Sequence, residues 1–205
     1  MRIKIIYFLL LISLLTYSQQ NAIKSTTLTW FGLDYSNANF IGKTEFNDPY
    51  ILKNTLFVQW NSVIVSEYEK YNFMKFYQKD DVKYYTKLVA KRNQNTNLER
   101  AISDKYANSM HLIKDTIQTI IDSYKIPDGM NGLGLVYIVE SYNKFSNIGF
   151  YYVVFFNIAN REVVYTERFD GKAKGVGIRN HWVNTVIYVL KKSSEKYKKM
   201  MKKLY

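Results

Sequence analysis

LGLVYIVESY (133–142), GFYYVVFFNI (149–158) and EVVYTERF (162–169) follow one another, separated by the polar stretches 143–147 and 159–161. Each is rich in Val, Ile, Tyr and Phe, whose flat or β-branched side chains suit a pleated, half-buried surface. Short polar links between such runs predict a three-stranded antiparallel meander. Phe150-Tyr151-Tyr152 and Phe155-Phe156 place rings at successive positions, and successive side chains of a strand point to opposite faces. Both faces of that strand are therefore expected to be covered, which makes the rings core and not a sugar-stacking platform.

Upstream of the meander, TTLTWFGLDY (26–35) reads as an opening strand, and Ser36 to Asn39 as a loop. Asp48-Pro49 is a helix start, with Asp as N-cap and Pro at the first helical position. Leu52, Leu56, Trp60, Val63 and Tyr68 then fall at helical spacing and predict a helix over 50–71. Residues 73–79 predict a short strand, while Val82 to Ala90 reads either as a strand or as a poor helix. Tyr106, Met110, Ile113, Ile117, Ile120 and Tyr124 form the stripe of a second helix, closed by Pro127-Asp128-Gly129. Downstream, DGKAKGVG (170–177) reads as a flexible loop, and Asn180 as the cap of a long helix carrying Trp182, Val186, Val189 and Leu190. Strands and helices mix without regular βαβ alternation. The expected fold is therefore α+β, with a mainly antiparallel sheet and helices packed on one face.

At the amino terminus, Arg2 and Lys4 precede an apolar run from Ile5 to Leu15, and Thr16-Tyr17-Ser18 follows. A positive start, a short apolar centre and a small-residue exit read as a signal peptide cleaved near Ser18. The run is about half of the roughly 20 residues a membrane-spanning helix needs. The organisation expected is a signal peptide over 1–18 and a single domain over 19–205, exported to the periplasm or beyond. The chain of 205 residues has no cysteine, which excludes disulfides, thiol nucleophiles and thiolate metal sites. Hydrophobic residues at 47% and aromatics at 17% exclude a disordered chain.

The formal charge is +12, and residues 191–205 hold seven Lys against the single Glu195. Such a surplus favours anionic partners, which for an exported protein means envelope components or acidic protein surfaces. Export removes the usual supply of nucleic acid, so nucleic acid is not expected. Tyr197, Met201 and Leu204 continue an apolar stripe through the lysines. Such a basic amphipathic helix fits contact with a membrane surface through 191–205.

WFGLDYS (30–36) and GVGIRNHW (175–182), with a leader ending near Ser18-Gln19-Gln20, resemble uncharacterised exported proteins of Bacteroidota. That resemblance carries no activity with it. The order of elements also resembles the envelope domain of curli-secretion and penicillin-binding-protein-activator lipoproteins, which implies a non-enzymatic assembly role. This chain lacks the anchoring Cys of those lipoproteins.

Two groups of residues are candidates for chemistry. Gly175, Gly177, Arg179 and Asn180 lie where a glycine-containing loop meets a helix start, an arrangement whose backbone N–H groups bind anions. The spacing is neither a Walker motif nor a dinucleotide fingerprint. Asp34 and Asp170 each end a strand, and His181 follows in the last helix. If the fold brought them to one rim with Arg179, they would suit hydrolysis of an anionic substrate. A salt bridge from either carboxylate to Arg179 is the simpler expectation. His111 and His181 are the only histidines, nothing in the sequence places them together, and neither a metal nor a cofactor is expected. The functional expectation is a non-enzymatic envelope protein that binds an anionic or protein partner. The alternative is a small hydrolase using Asp34, Asp170 and His181.

Overall fold

The structure is a computed structural model that describes residues 22–105 and 112–203. The segment expected to be a signal peptide (1–18), His111, and Tyr106 and Met110 of the second stripe lie outside the described residues.

The first described strands are β1 (Thr27–Asp34) and β2 (Asn39–Ile41). Asp48 then starts α1, its carboxylate accepting from Tyr50 N and Ile51 N at 2.9 and 3.0 Å. α1 consists of Pro49–Ile51 and Phe57–Ser66, joined by a π-helical turn at Leu52–Leu56. It stops short of the expected residue 71, because Glu67 leaves helical geometry with φ −93° and ψ 46°.

Residues 73–79 are not a strand. Phe73–Tyr77 form the short helix α2, capped by the Asn72 side chain and ended by Gln78 in the left-handed region. Phe73 and Tyr77, both buried, are four residues apart, a helical spacing that outweighs their β propensity. The 82–90 region divides between both readings, as β3 (Asp81–Tyr84) and α3 (Lys87–Gln94). After β4 (Ile102–Ser103) come α4 (Lys114–Asp122), β5 (Leu133–Asn143), β6 (Ile148–Asn157) and β7 (Val163–Lys172). Two helices close the described chain, α5 (Gly177–Val183) and α6 (Thr185–Met201). They meet at Asn184, so Asn180 lies inside α5, whose N-cap is Val176.

The meander β5–β6–β7 is antiparallel, in the expected register order. The sheet as a whole is not mainly antiparallel. Among the described residues four of its six strand pairings are parallel: β1 with β3, β1 with β5, β2 with β4 and β2 with β5. β1 and β2 lie end to end along the free edge of β5, against Leu133–Ile138 and Ser141–Asn143 respectively. The chain leaves β1 through α1 and α2 before returning as β3, and this crossover makes the pairing parallel.

Nor do the helices keep to one face. On the first face, Trp30, Tyr137, Tyr142 and Phe155 pack with Trp60 of α1, Phe73 of α2, Trp182 of α5 and Val189 of α6. On the second, Phe31, Val136, Ile138 and Phe156 pack with Val89 of α3 and Ile117 and Ile121 of α4. β5 is buried along its whole length, as strands covered on both sides are. The sequence carried that signal in the unbroken apolar run Leu135–Val139.

The supposed flexible loop begins later than expected, because β7 includes Asp170, Gly171 and Lys172. A Cβ at Gly171 would lie 2.1 Å from the Thr185 carbonyl oxygen, so glycine here is what lets β7 touch the start of α6. The apolar stripe of α6 is also accounted for. Tyr197 is buried, its hydroxyl donates to Ile23 O at 3.0 Å, and Met200 and Met201 pack on the core. What α6 presents to solvent is its lysine face.

Candidate functional site

The end of β1 is an unusual strand edge. Beyond Trp30, β3 no longer pairs with it, and two buried asparagines supply the hydrogen bonds a neighbouring strand would give. Leu33 N donates to Asn61 Oδ1 at 2.7 Å and Tyr35 N to Asn93 Oδ1 at 2.7 Å, while both side-chain amides donate to Leu33 O. A bulge falls between Trp30 and Gly32, and Gly32 has φ +114° with Asn61 close against it. This local distortion turns Asp34 onto the α3/α4 side of the sheet.

There Asp34 is fully buried and fully occupied. Its carboxylate accepts from Arg92 Nε at 3.2 Å, from the Tyr124 hydroxyl at 2.7 Å and from Ser36 N at 2.8 Å. Arg92 in turn donates through Nη1 to Ser123 Oγ at 2.7 Å and through Nη2 to Ser36 Oγ at 3.0 Å, with its guanidinium 5.1 Å from the Tyr124 ring centre. Burial, then the Asp34 charge, raises the Tyr124 phenol well above its ordinary pKa, so it is a fixed donor. A guanidinium has five N–H groups, and the described partners use three. One N–H on each terminal nitrogen is left without an acceptor among the described residues.

Arg92 lines a cavity of about 430 Å³ between α3 and the end of α4, together with Tyr85, Lys87, Lys91, Ser123 and Lys125. No acidic side chain is among the described residues that line it. Since Asp34 balances Arg92 from beneath, the three lysines form the surplus charge of the cavity. β1 is also the strand from which the chain departs to β3 on one side and to β5 on the other. In open α/β sheets the carboxyl end of such a strand is where ligands lodge.

A second buried carboxylate stands on the same face. Glu140 is two residues past Ile138, the register partner of Asp34, which places their Cα atoms on the order of 8 Å apart from strand spacing and rise. Arg168 grips it with two bonds, Nε to Oε2 at 2.6 Å and Nη2 to Oε1 at 2.7 Å, and stacks 4.0 Å from the Phe150 ring centre. Burial, with the Glu140 charge beside it, pushes the Tyr152 phenol up to about 12. The sequence offered a sign of this pair, because a lone acid within LGLVYIVESY is costly to bury unless a cation meets it. Arg92 gave no such sign.

The other sequence candidates are dispersed. Asp170 lies on β7, separated from β1 by β5 and β6, and pairs on the surface with Lys192 at 2.8 Å. His181 Nε2 is 3.1 Å from Asn147 Oδ1. Arg179 Nε donates to Asn180 Oδ1 at 3.1 Å, and its carbonyl accepts from Trp60 Nε1 at 3.0 Å. The salt-bridge partner of Asp34 is Arg92, and that of Asp170 is Lys192, in place of the expected Arg179. Gly175 packs against Asn184 and Asn180, whereas Gly177 faces open space. Among the described residues no group of three His, Asp or Glu side chains is arranged to hold a metal ion, and no helix is long and apolar enough to cross a membrane. No family model, no curated protein and no solved structure matches the chain.

Proposed function

We propose that the protein is an exported, non-enzymatic binding protein of the cell envelope, and that it takes an anionic group of a ligand or partner protein into the cavity beside Arg92. The observation that carries this reading is the pairing of a buried carboxylate with an outward cation. Asp34 fixes the guanidinium, so its two remaining N–H groups are already oriented, while Lys87, Lys91 and Lys125 add charge without a competing acid among the described lining residues. Preorganised donors bind an anion more tightly than mobile ones because less ordering accompanies binding. Export rests on the residue 1–18 pattern, and an assembly role on the resemblance to envelope domains. An acidic group on a partner protein is the occupant that such a role requires.

Calorimetric titration of the purified protein with inorganic pyrophosphate tests the cavity. Binding is expected to weaken as salt is raised. It is expected to fall at least about tenfold in the Lys87→Gln/Lys91→Gln variant, as when a charge-assisted hydrogen bond of roughly 1.5 kcal/mol is removed. Absence of binding at low salt, or equal binding by the variant, removes the reading.

A further inference from the structure

The opposite end of β1 holds a separate cleft. Residues 24–26 entering the strand, the Gln78–Lys79 turn after α2 and the last turns of α6 enclose about 460 Å³. Lys24, Lys79, Lys198 and Lys202 line it with Tyr197 and Met201, and no acidic side chain is among the described residues that line it. β1 has eight residues, so this cleft and the Arg92 cavity are roughly 25 Å apart at the rise of an extended strand.

Lys79 forms the floor. It is only 8% exposed, and its ammonium donates to Ile23 O at 3.4 Å and Ser25 O at 2.5 Å, 5.2 Å from the Tyr197 ring centre. Carbonyl dipoles and an aromatic face replace water incompletely around a charge. Burial accordingly draws Lys79 down to about 8, against the opposing effect of the Asp80 carboxylate. An anion entering the cleft would relieve that deficit. The lysines at the end of α6 do complement the helix dipole, but the negative end amounts to about half a charge. The two full charges of Lys198 and Lys202 exceed it. Lys198 and Lys202 stand at the wall, where they reach oxygens of one group, and Met201 supplies an apolar flank beside the charge.

We infer that this cleft binds the phosphate group of a phosphoester, with Lys198 and Lys202 meeting its oxygens above Lys79 and with Met201 against the carbon side of the ester. A soluble phosphoester and a lipid headgroup present the same chemistry to these residues. The site does not depend on the Arg92 cavity.

The test uses the full chain with two probes: glycerol 3-phosphate followed by calorimetry, and phosphatidylcholine vesicles with or without phosphatidylglycerol followed by co-sedimentation. Lys198→Gln/Lys202→Gln is the test variant, and Lys43→Gln/Lys75→Gln, which removes equal charge from exposed positions outside both sites, is the control. Binding to either probe is expected to drop roughly thirtyfold in the test variant, at the value of a lysine near a phosphate surface, and to persist in the control. Binding of glycerol 3-phosphate identifies a soluble ligand, and binding of phosphatidylglycerol vesicles alone identifies a headgroup. The inference is overturned if the unaltered protein binds neither probe. It is equally overturned if the test variant binds like the parent, or if the control loses binding to the same degree.

Discussion

Arg92 reaches Asp34 from α3 with a side chain about one quarter exposed, whereas the Asp34 side chain it meets has no exposure at all. The carboxylate therefore depends on Arg92, Tyr124 and the Ser36 N–H for all of its solvation, while Arg92 can also turn toward water or a ligand. The pair fastens α3 to the sheet and at the same time aims a cation outward.

Removing the cation should thus be more damaging than a surface charge change. Arg92→Ala is expected to destabilise the protein by about 3 kcal/mol, the scale for stranding one member of a buried ion pair. Arg92→Lys should recover only part of this, because a lysine cannot bond Asp34, Ser36 and Ser123 together. Urea unfolding measures both. A loss below about 1 kcal/mol for Arg92→Ala, the range of exposed pairs, would mean that Asp34 finds water in its place.

The asparagine clamp on β1 gives a local signature. Asn93→Ala leaves Tyr35 N without its acceptor in a buried setting, which should lower stability by about 1–3 kcal/mol. Hydrogen exchange at the Tyr35 amide should accelerate beyond the change in global stability. Exchange at Val153 and Val154, in the centre of β6, should follow only the global change.

Two glycines in neighbouring segments should respond in opposite order to their flexibility. Gly171 has an unremarkable φ, yet a Cβ there meets the Thr185 backbone at 2.1 Å. Gly171→Ala should lower stability by about 3 kcal/mol through overpacking. Gly177 has φ +76° with open space around it, so Gly177→Ala should lower it by only about 1 kcal/mol of backbone strain. Thermal unfolding distinguishes them, and equal losses would contradict the close contact of β7 with α6.

Alkaline pH should unfold the protein cooperatively. The phenols of Tyr35, Tyr77, Tyr124, Tyr142 and Tyr151 are all raised well above 10.0, chiefly by burial. Their folded pKa exceeds the unfolded one, so the stability they contribute is complete below about pH 10 and is lost as pH rises beyond it. Phenolate absorbance should show these groups ionising together with the loss of far-ultraviolet helix signal. Ionisation while the fold persists would show that solvent reaches these hydroxyls.

Local patterns made much of the fold legible. Asp48-Pro49 announces α1 because a cap acts on N–H groups two and three residues away. The β5–β7 meander is readable because its partners are adjacent in the chain. The division of α5 from α6 at Asn184 leaves no mark in the local pattern, being settled by what the helices pack against, whereas the helix at Phe73–Tyr77 shows only in the four-residue spacing of its two buried rings. Of the site, Asp34 stood out as a charge closing an apolar strand. Arg92, 58 residues away, sits in a short polar helix that looks like any solvated one.

By itself, then, the amino-acid sequence determined the surplus of positive charge, the absence of thiol chemistry, the three consecutive strands and the double-sided burial of β6. Those properties depend on composition and on side chains a few residues apart. Tertiary structure alone decided that β1 runs parallel to β5, that helices cover both faces, and which cation meets each buried acid. Such pairings join segments far apart in the chain, and their energies arise only when the intervening crossovers have brought the partners together.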